Sequence, residues 1–179
     1  MALAGRHVAH GRVIFELATD ADAPALTALH SAIAGQLTRD FGEGHWSSSA
    51  SEPSVLRNIA SSKVIVARDD DGIAGTLRLT TKKPWAIDTK YFTSVDRPLY
   101  LVDMAVRPSL QRSGLGRRLI REAVAIAAAW PAQALRLDAY DSAAGAGSFY
   151  AKCGFREVAR VQFRKVPLIY FERVLSGAT

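Results

Sequence analysis

The chain is poor in cysteine, in histidine and in long apolar runs, and each shortage excludes something. Its one cysteine, Cys153, precludes an internal disulfide and reads as a small core residue rather than a nucleophile. Four scattered histidines offer no metal-ligand spacing, so no metal is expected. No apolar stretch approaches the roughly 18–20 residues of a membrane span, so no membrane partner is expected. The opening MALAGRHVAHGR lacks the continuous apolar core of a signal peptide, and a cytoplasmic location is the simplest expectation. Neither an internal repeat nor a Gly/Pro-rich linker appears, and 179 residues suit a single domain spanning 1–179 with its core at about 13–174.

What the chain does have is an excess of base: a net charge of +6 and a pI near 9.8. Such a balance raises nucleic acid as a partner. The excess is local, however. Residues 104–136 carry Arg107, Arg112, Arg117, Arg118, Arg121 and Arg136 against Glu122 alone. No basic-aromatic motif accompanies them, and no nucleic-acid partner is expected. A compact anionic ligand accounts for the cluster, with a solvated helix face and an Arg118–Glu122 pair at i,i+4 as the plainer reading.

Periodicity and turn signals give the element order. A short strand at Val13–Leu17 precedes a capping box at Thr19–Asp22 and a helix to about Leu37. A Gly/Ser-rich loop over 40–51 follows, then a short helix capped by Ser51. Lys63–Arg68 and Gly75–Thr80 form a hairpin about an Asp/Gly turn. Residues 81–98 are irregular, and a loop of that length tends to have a role. The apolar strand Leu99–Val106 leads through Gln111-Arg112-Ser113-Gly114-Leu115-Gly116 into a helix, with Ser113 as its cap and Pro131 as its stop. A strand at Ala134–Ala139, a helix over Ala146–Lys152 ended by Gly154, and strands at Phe155–Arg160 and Pro167–Val174 complete the chain.

The Gly114 loop is the most telling segment. Glycines at 114 and 116 let the backbone approach a ligand, and a helix opening there presents unpaired N–H groups and a positive dipole end to phosphate. The motif G-x-G-x-x-G is absent, as is the Gly-Lys-Ser/Thr of a Walker loop. Taken with Ala105-Val106-Arg107-Pro108 before it and Phe149-Tyr150-Ala151-Lys152-Cys153-Gly154-Phe155 after it, the QRSGLG loop resembles the acetyl-CoA site of the GNAT superfamily of N-acetyltransferases.

That resemblance implies an α/β (α+β) fold: a mixed, twisted sheet of about six to seven strands with a splayed central pair, flanked by about four helices. It implies acetyl-CoA as cosubstrate, no metal, a small-molecule or peptide amine as acceptor, and the homodimers common among relatives. Met104, Ala105 and Val106 would pair with the pantetheine arm. Gln111, Arg112, Ser113, Gly114, Leu115 and Gly116 would hold the diphosphate. Tyr150 would protonate the departing thiolate. Asp103, the one charge in its strand, is either a general base or a structural hydrogen-bonding group. Two positions depart from the family pattern: Val102 replaces a catalytic glutamate, and Ala143 replaces an asparagine, leaving Ser142 or backbone amides to meet the cofactor. These departures motivate an alternative, a non-catalytic CoA-binding regulatory module. His45 and Trp46, the loop aromatics Trp85, Tyr91 and Phe92, and Asp138, Tyr140 and Asp141 are the acceptor-site candidates.

Overall fold

The computed structural model describes residues 12–48 and 50–175. The expected order is present: β1 (Ile14–Leu17), α1 (Ala23–Phe41), α2 (Glu52–Ser61), β2 (Lys63–Asp69), β3 (Gly72–Thr80), β4 (Pro98–Val106), α3 (Leu115–Ala129), β5 (Ala134–Tyr140), α4 (Gly147–Lys152), β6 (Arg156–Phe163) and β7 (Val166–Val174). The strands form one seven-stranded sheet in the order β1-β2-β3-β4-β5-β7-β6. All neighbours are antiparallel except β4 and β5, which run parallel.

Strand alternation sends side chains to two layers. Ile65, Ala67, Leu77 and Leu79 join Leu115, Leu119, Ile120, Ala123 and Ala127 of α3 in one cluster. Val64, Val66 and Ile73 meet Leu26 and Leu29 of α1 and Val55 of α2 in another. The apolar face of α3 is therefore buried against the sheet.

Local chemistry fixes most boundaries. The Thr19 N–H donates to Asp22 Oδ2 at 2.9 Å in a 3-10 turn that feeds α1. That helix continues past Leu37 to Phe41, where Gly42, at φ +79°, turns its N–H back to the Thr38 carbonyl. Ser51 Oγ accepts from the Ser54 N–H and caps α2. Ser113 lies one residue before the N-cap position of α3, and its Oγ accepts from the Leu115 N–H at 3.4 Å. Gly114, left-handed at φ +90°, takes that position, while Ser113 Oγ donates to the Leu110 carbonyl.

The long segment 81–98 is tied down from beneath. Thr93 donates through its N–H (3.1 Å) and through Oγ1 (2.7 Å) to Glu172, a carboxylate only 2% exposed. Arg136 pairs with the same carboxylate at 3.3 Å and donates to the Thr93 carbonyl. Phe92 stacks on Tyr170 with ring centroids 5.4 Å apart, and Tyr91 meets that ring edge-on. This corrects the assignment of Tyr91 and Phe92 to the acceptor site: neither lines the larger cavity, Phe92 is buried and anchors the loop to the core, and Tyr91 stays exposed against the Tyr170 edge. It also removes Arg136 from the basic cluster. Arg107 leaves the cluster too, because it forms two hydrogen bonds to Asp69 at 3.0 and 3.1 Å.

Candidate active site

Two irregularities of β4 build the site. The first is a bulge. Thr76 lies opposite Ala105 and Arg78 opposite Val102, so Asp103 and Met104 together face Leu77 alone. Asp103 takes φ +54° to make the bend. The second is a splay. Only Pro98, Leu99 and Tyr100 pair with β5, at Ala134, Leu135 and Arg136. Beyond them the strands diverge, although β4 continues to Val106 and β5 to Tyr140. The backbone of β4 from Val102 onward therefore has no β5 partner, and such groups need hydrogen bonds from elsewhere.

At one end of the splay sits the glycine loop. A Cβ built on Gly114 would meet nothing within 4 Å, so this left-handed residue borders open space. Gly116 differs. Its Cβ would lie 3.1 Å from Phe149 Cζ and 3.4 Å from Met104 Cε, so the small residue there serves close packing of α3 against β4 and α4. Gln111 braces the loop: it exchanges amide hydrogen bonds with Gln36 of α1 at 2.9 and 3.2 Å and donates to the Val106 carbonyl at 3.3 Å. Arg112 adopts φ +62° and is exposed. Beside Gly114 lies a cavity of about 460 Å³ lined by Ser113, Arg117, Arg118, Arg121, Lys152 and Arg173, among others. The expected Arg118–Glu122 pair does not form; Arg118 lies over the Phe15 ring at 4.9 Å.

These features fit acetyl-CoA. The cationic cavity and the N-terminus of α3 suit its phosphates, open space above Gly114 admits them, and the unpartnered edge of β4 suits an extended amide-bearing arm. Ser113, Gly114, Leu115 and Gly116 stand at that N-terminus, and Met104, Ala105 and Val106 on the free edge. Ser142 is exposed after the end of β5, and its carbonyl accepts from the Gly145 N–H in the turn before α4.

At the other end is a larger cavity of about 950 Å³. Its walls include His45, Trp46, Trp85 and Tyr140, all expected there, together with Asp103 and Met104. Trp46 donates its indole N–H to the Gly42 carbonyl and meets Tyr140 edge-on at 5.6 Å, which joins the α1–α2 loop to the end of β5. Trp85 stands 85% exposed at the rim. Asp141 turns away to pair with Arg160 at 2.9 Å.

Tyr150 of α4 reaches the wall of the larger cavity through Met104. Its hydroxyl meets Met104 Sδ at 3.8 Å, and Met104 also lines the larger cavity and abuts Gly116. Burial pushes the Tyr150 phenol well above its usual range, with the nearby Asp138 charge adding to the shift. Asp138 is itself shifted upward by burial, and Tyr140 and Tyr170 are raised by their own burial first and by the Asp138 charge after it. Burial also pushes the Cys153 thiol up, against the opposing charges of Arg117 and Arg173.

Asp103 accepts from Arg78 Nε at 2.8 Å. Sequence reasoning missed Arg78, and it missed His30 of α1, Arg57 of α2 and Lys82, all of which line the larger cavity. His30 carried a signal. It sits among Leu26, Leu29 and Ile33 on the apolar stripe of α1, where a polar residue needs a reason. Burial lowers its imidazole below the ordinary value, the Asp103 charge opposes that shift, and the Arg78 charge reinforces it.

The comparisons agree with the geometry. No curated protein matches the sequence. Among solved structures, the ribosomal-protein-S18-alanine N-acetyltransferase from Escherichia coli superposes with a TM-score of 0.70 at 18% identity, covering 94% of this chain and 97% of that one. A ribosomal-protein-alanine N-acetyltransferase from Brucella melitensis gives 0.68 at 18% identity over 90% and 99%. A putative acetyltransferase from Salmonella typhimurium, yncA, solved with acetyl-CoA, gives 0.67 at 18% identity over 92% and 94%. At such identities these likenesses bear on the fold. The family model for the acetyltransferase (GNAT) domain matches residues 60–157, more than half of the chain and the whole stretch from the β2–β3 hairpin through the splay, the glycine loop and Tyr150. The chain belongs to the GNAT acetyltransferase family.

Proposed function

We propose that this chain transfers the acetyl group of acetyl-CoA to a primary amine. One observation carries the reading. β4 parts from β5 after Tyr100, a cationic cavity lies beside Gly114 just after β4, and a second cavity holds Asp103 and Met104 of β4 with His30, the Tyr150 hydroxyl standing against Met104. The alanine N-acetyltransferases among the structural neighbours, named for N-acetylation, support the choice of nitrogen.

The cosubstrate supplies an acetyl thioester already activated for attack. The chain supplies alignment, and holding two reactants together is worth about 7–11 kcal/mol. It also supplies proton handling. A lysine-like amine sits about 3.4 units above neutral pH, so freeing its lone pair costs roughly 4–5 kcal/mol. His30 lines the larger cavity with Asp103 and Arg78, burial shifts its imidazole downward, and it is the base assigned here to take that proton. The free N–H groups of β4 are the donors available to a carbonyl oxygen gaining charge. Tyr150 stays protonated and presents its hydroxyl to the departing sulfur.

The test is release of the CoA thiol from acetyl-CoA in the presence of a panel of primary amines, with the acetylated product identified by mass. Turnover with an amine and none with matched alcohols is expected. Tight acetyl-CoA binding without any acceptor would leave the regulatory-module reading in its place.

A further inference from the structure

The charge on the walls of the larger cavity narrows the acceptor further, on the reading that the chain is an amine acetyltransferase. Arg57, Arg78 and Lys82 line it, and Asp103 is its only carboxylate among the described residues. That carboxylate is held by Arg78 at 2.8 Å with the Arg78 side chain 19% exposed. Arg57 and Lys82 carry no ion pair among the described residues, and both are exposed to an incoming ligand. Asp138 does not line the cavity. A polyamine or a lysine-rich peptide would therefore bring a second cation to a wall that already repels it, and no free carboxylate awaits it.

We propose that the acceptor is a small amine that also carries an anionic group, a carboxylate or a phosphonate, received by Arg57 and Lys82 while its amine lies toward Asp103 and Met104. The cavity, at about 950 Å³, falls in the range of about 300–1,000 Å³ usual for small ligands. Trp46, Trp85 and Tyr140 supply apolar wall for the carbon skeleton between the two ends.

Four probes of similar length separate the end groups: γ-aminobutyrate, aminopropylphosphonate, n-butylamine and putrescine. We expect kcat/KM to fall in the order anionic, neutral, cationic, with about tenfold or more between either anion and putrescine at low salt. The gap should narrow as salt screens the exposed charges. The double variant Arg57→Gln with Lys82→Gln should lower kcat/KM for the anions about tenfold more than for n-butylamine. The two anionic arms distinguish a carboxylate site from a phosphonate site. Calorimetric binding of the same probes to the CoA-saturated protein should follow the same order, and this readout does not depend on turnover. Putrescine equal to or better than the anions, in turnover or in binding, overturns the inference, as does failure of both anions to bind. Loss of acetyl-CoA binding or of all turnover with every amine instead defeats the acetyltransferase reading beneath it.

Discussion

Replacing Tyr150 by phenylalanine separates chemistry from stability more cleanly than any other substitution in the site. The hydroxyl has one protein partner, Met104 Sδ at 3.8 Å, and a thioether is a weak acceptor. The ring does the packing. Its centroid lies 5.3 Å from that of Phe149, 5.9 Å from Phe155 and 6.0 Å from Phe171, and phenylalanine keeps every one of these contacts. Loss of the hydroxyl should therefore cost less than about 1 kcal/mol of stability. Its effect on rate follows from proton affinity. Burial raises the phenol, whereas an ordinary thiol titrates near about 8.5, so full transfer to a thiolate is uphill. The hydroxyl then acts chiefly as a hydrogen-bond donor to sulfur as charge gathers there. A hydrogen bond to a charged group is worth about 1.5–3 kcal/mol, which converts to a fall in kcat of about 10- to 150-fold. Thiol release at saturating acetyl-CoA gives kcat, calorimetry gives the acetyl-CoA Kd, and thermal unfolding gives Tm. The expected result is a large fall in kcat with Kd and Tm nearly unchanged. A kcat within about twofold of the parent, or a rise in Kd matching the fall in kcat, would refute the reasoning.

Other expectations follow from the same geometry. His30→Gln should remove the acid limb of the kcat/KM profile that the parent shows below the ordinary histidine range, because burial lowers this imidazole and only its neutral form accepts a proton; an unchanged limb in the variant would assign it to another group. Asp138→Asn should raise Tm at neutral pH. The buried carboxyl has a folded proton affinity above its unfolded one, so its ionisation opposes folding, and the gain should shrink as pH falls toward the unfolded value of about 3.9; a variant less stable at pH 7 would contradict this. Glu172→Gln should destabilise by about 3–5 kcal/mol, since it strips Arg136 of its charge partner in a buried site. It should also increase proteolysis in 81–98, which Thr93 no longer anchors to a carboxylate; a Tm within a degree or so of the parent would show the pair to be dispensable.

The fold was largely legible because its signals are local. The Gly114 loop, the stop at Pro131, the Ser51 cap and the α3 stripe each declare themselves within a few residues. What escaped the sequence depends on partners far along the chain. Arg136 and Arg107 look like members of one basic cluster until Glu172 and Asp69 neutralise them from other strands. Phe92 looks like a loop aromatic free to greet a ligand until Tyr170 stacks on it. The bulge at Asp103 arises from a one-residue slip in register against β3, which nothing in LYLVDMAV announces. That slip matters, because it aims Asp103 at Arg78 and the larger cavity. Trp46 and Trp85 stand out in the sequence because they lie in loops between recognised elements, and Tyr140 because it ends a strand. His30 and Arg57 lie inside helices and were hidden by them.

The central claim is that the α3 N-terminus at Gly114 holds acetyl-CoA, and Gly114→Glu tests it most directly. The left-handed backbone there and the open space at its Cβ put any new side chain where the phosphates belong, and a carboxylate adds repulsion. Calorimetric titration with acetyl-CoA should show binding to the parent and none to Gly114→Glu, with circular dichroism confirming that both are folded; equal affinity in the two proteins would contradict the assignment.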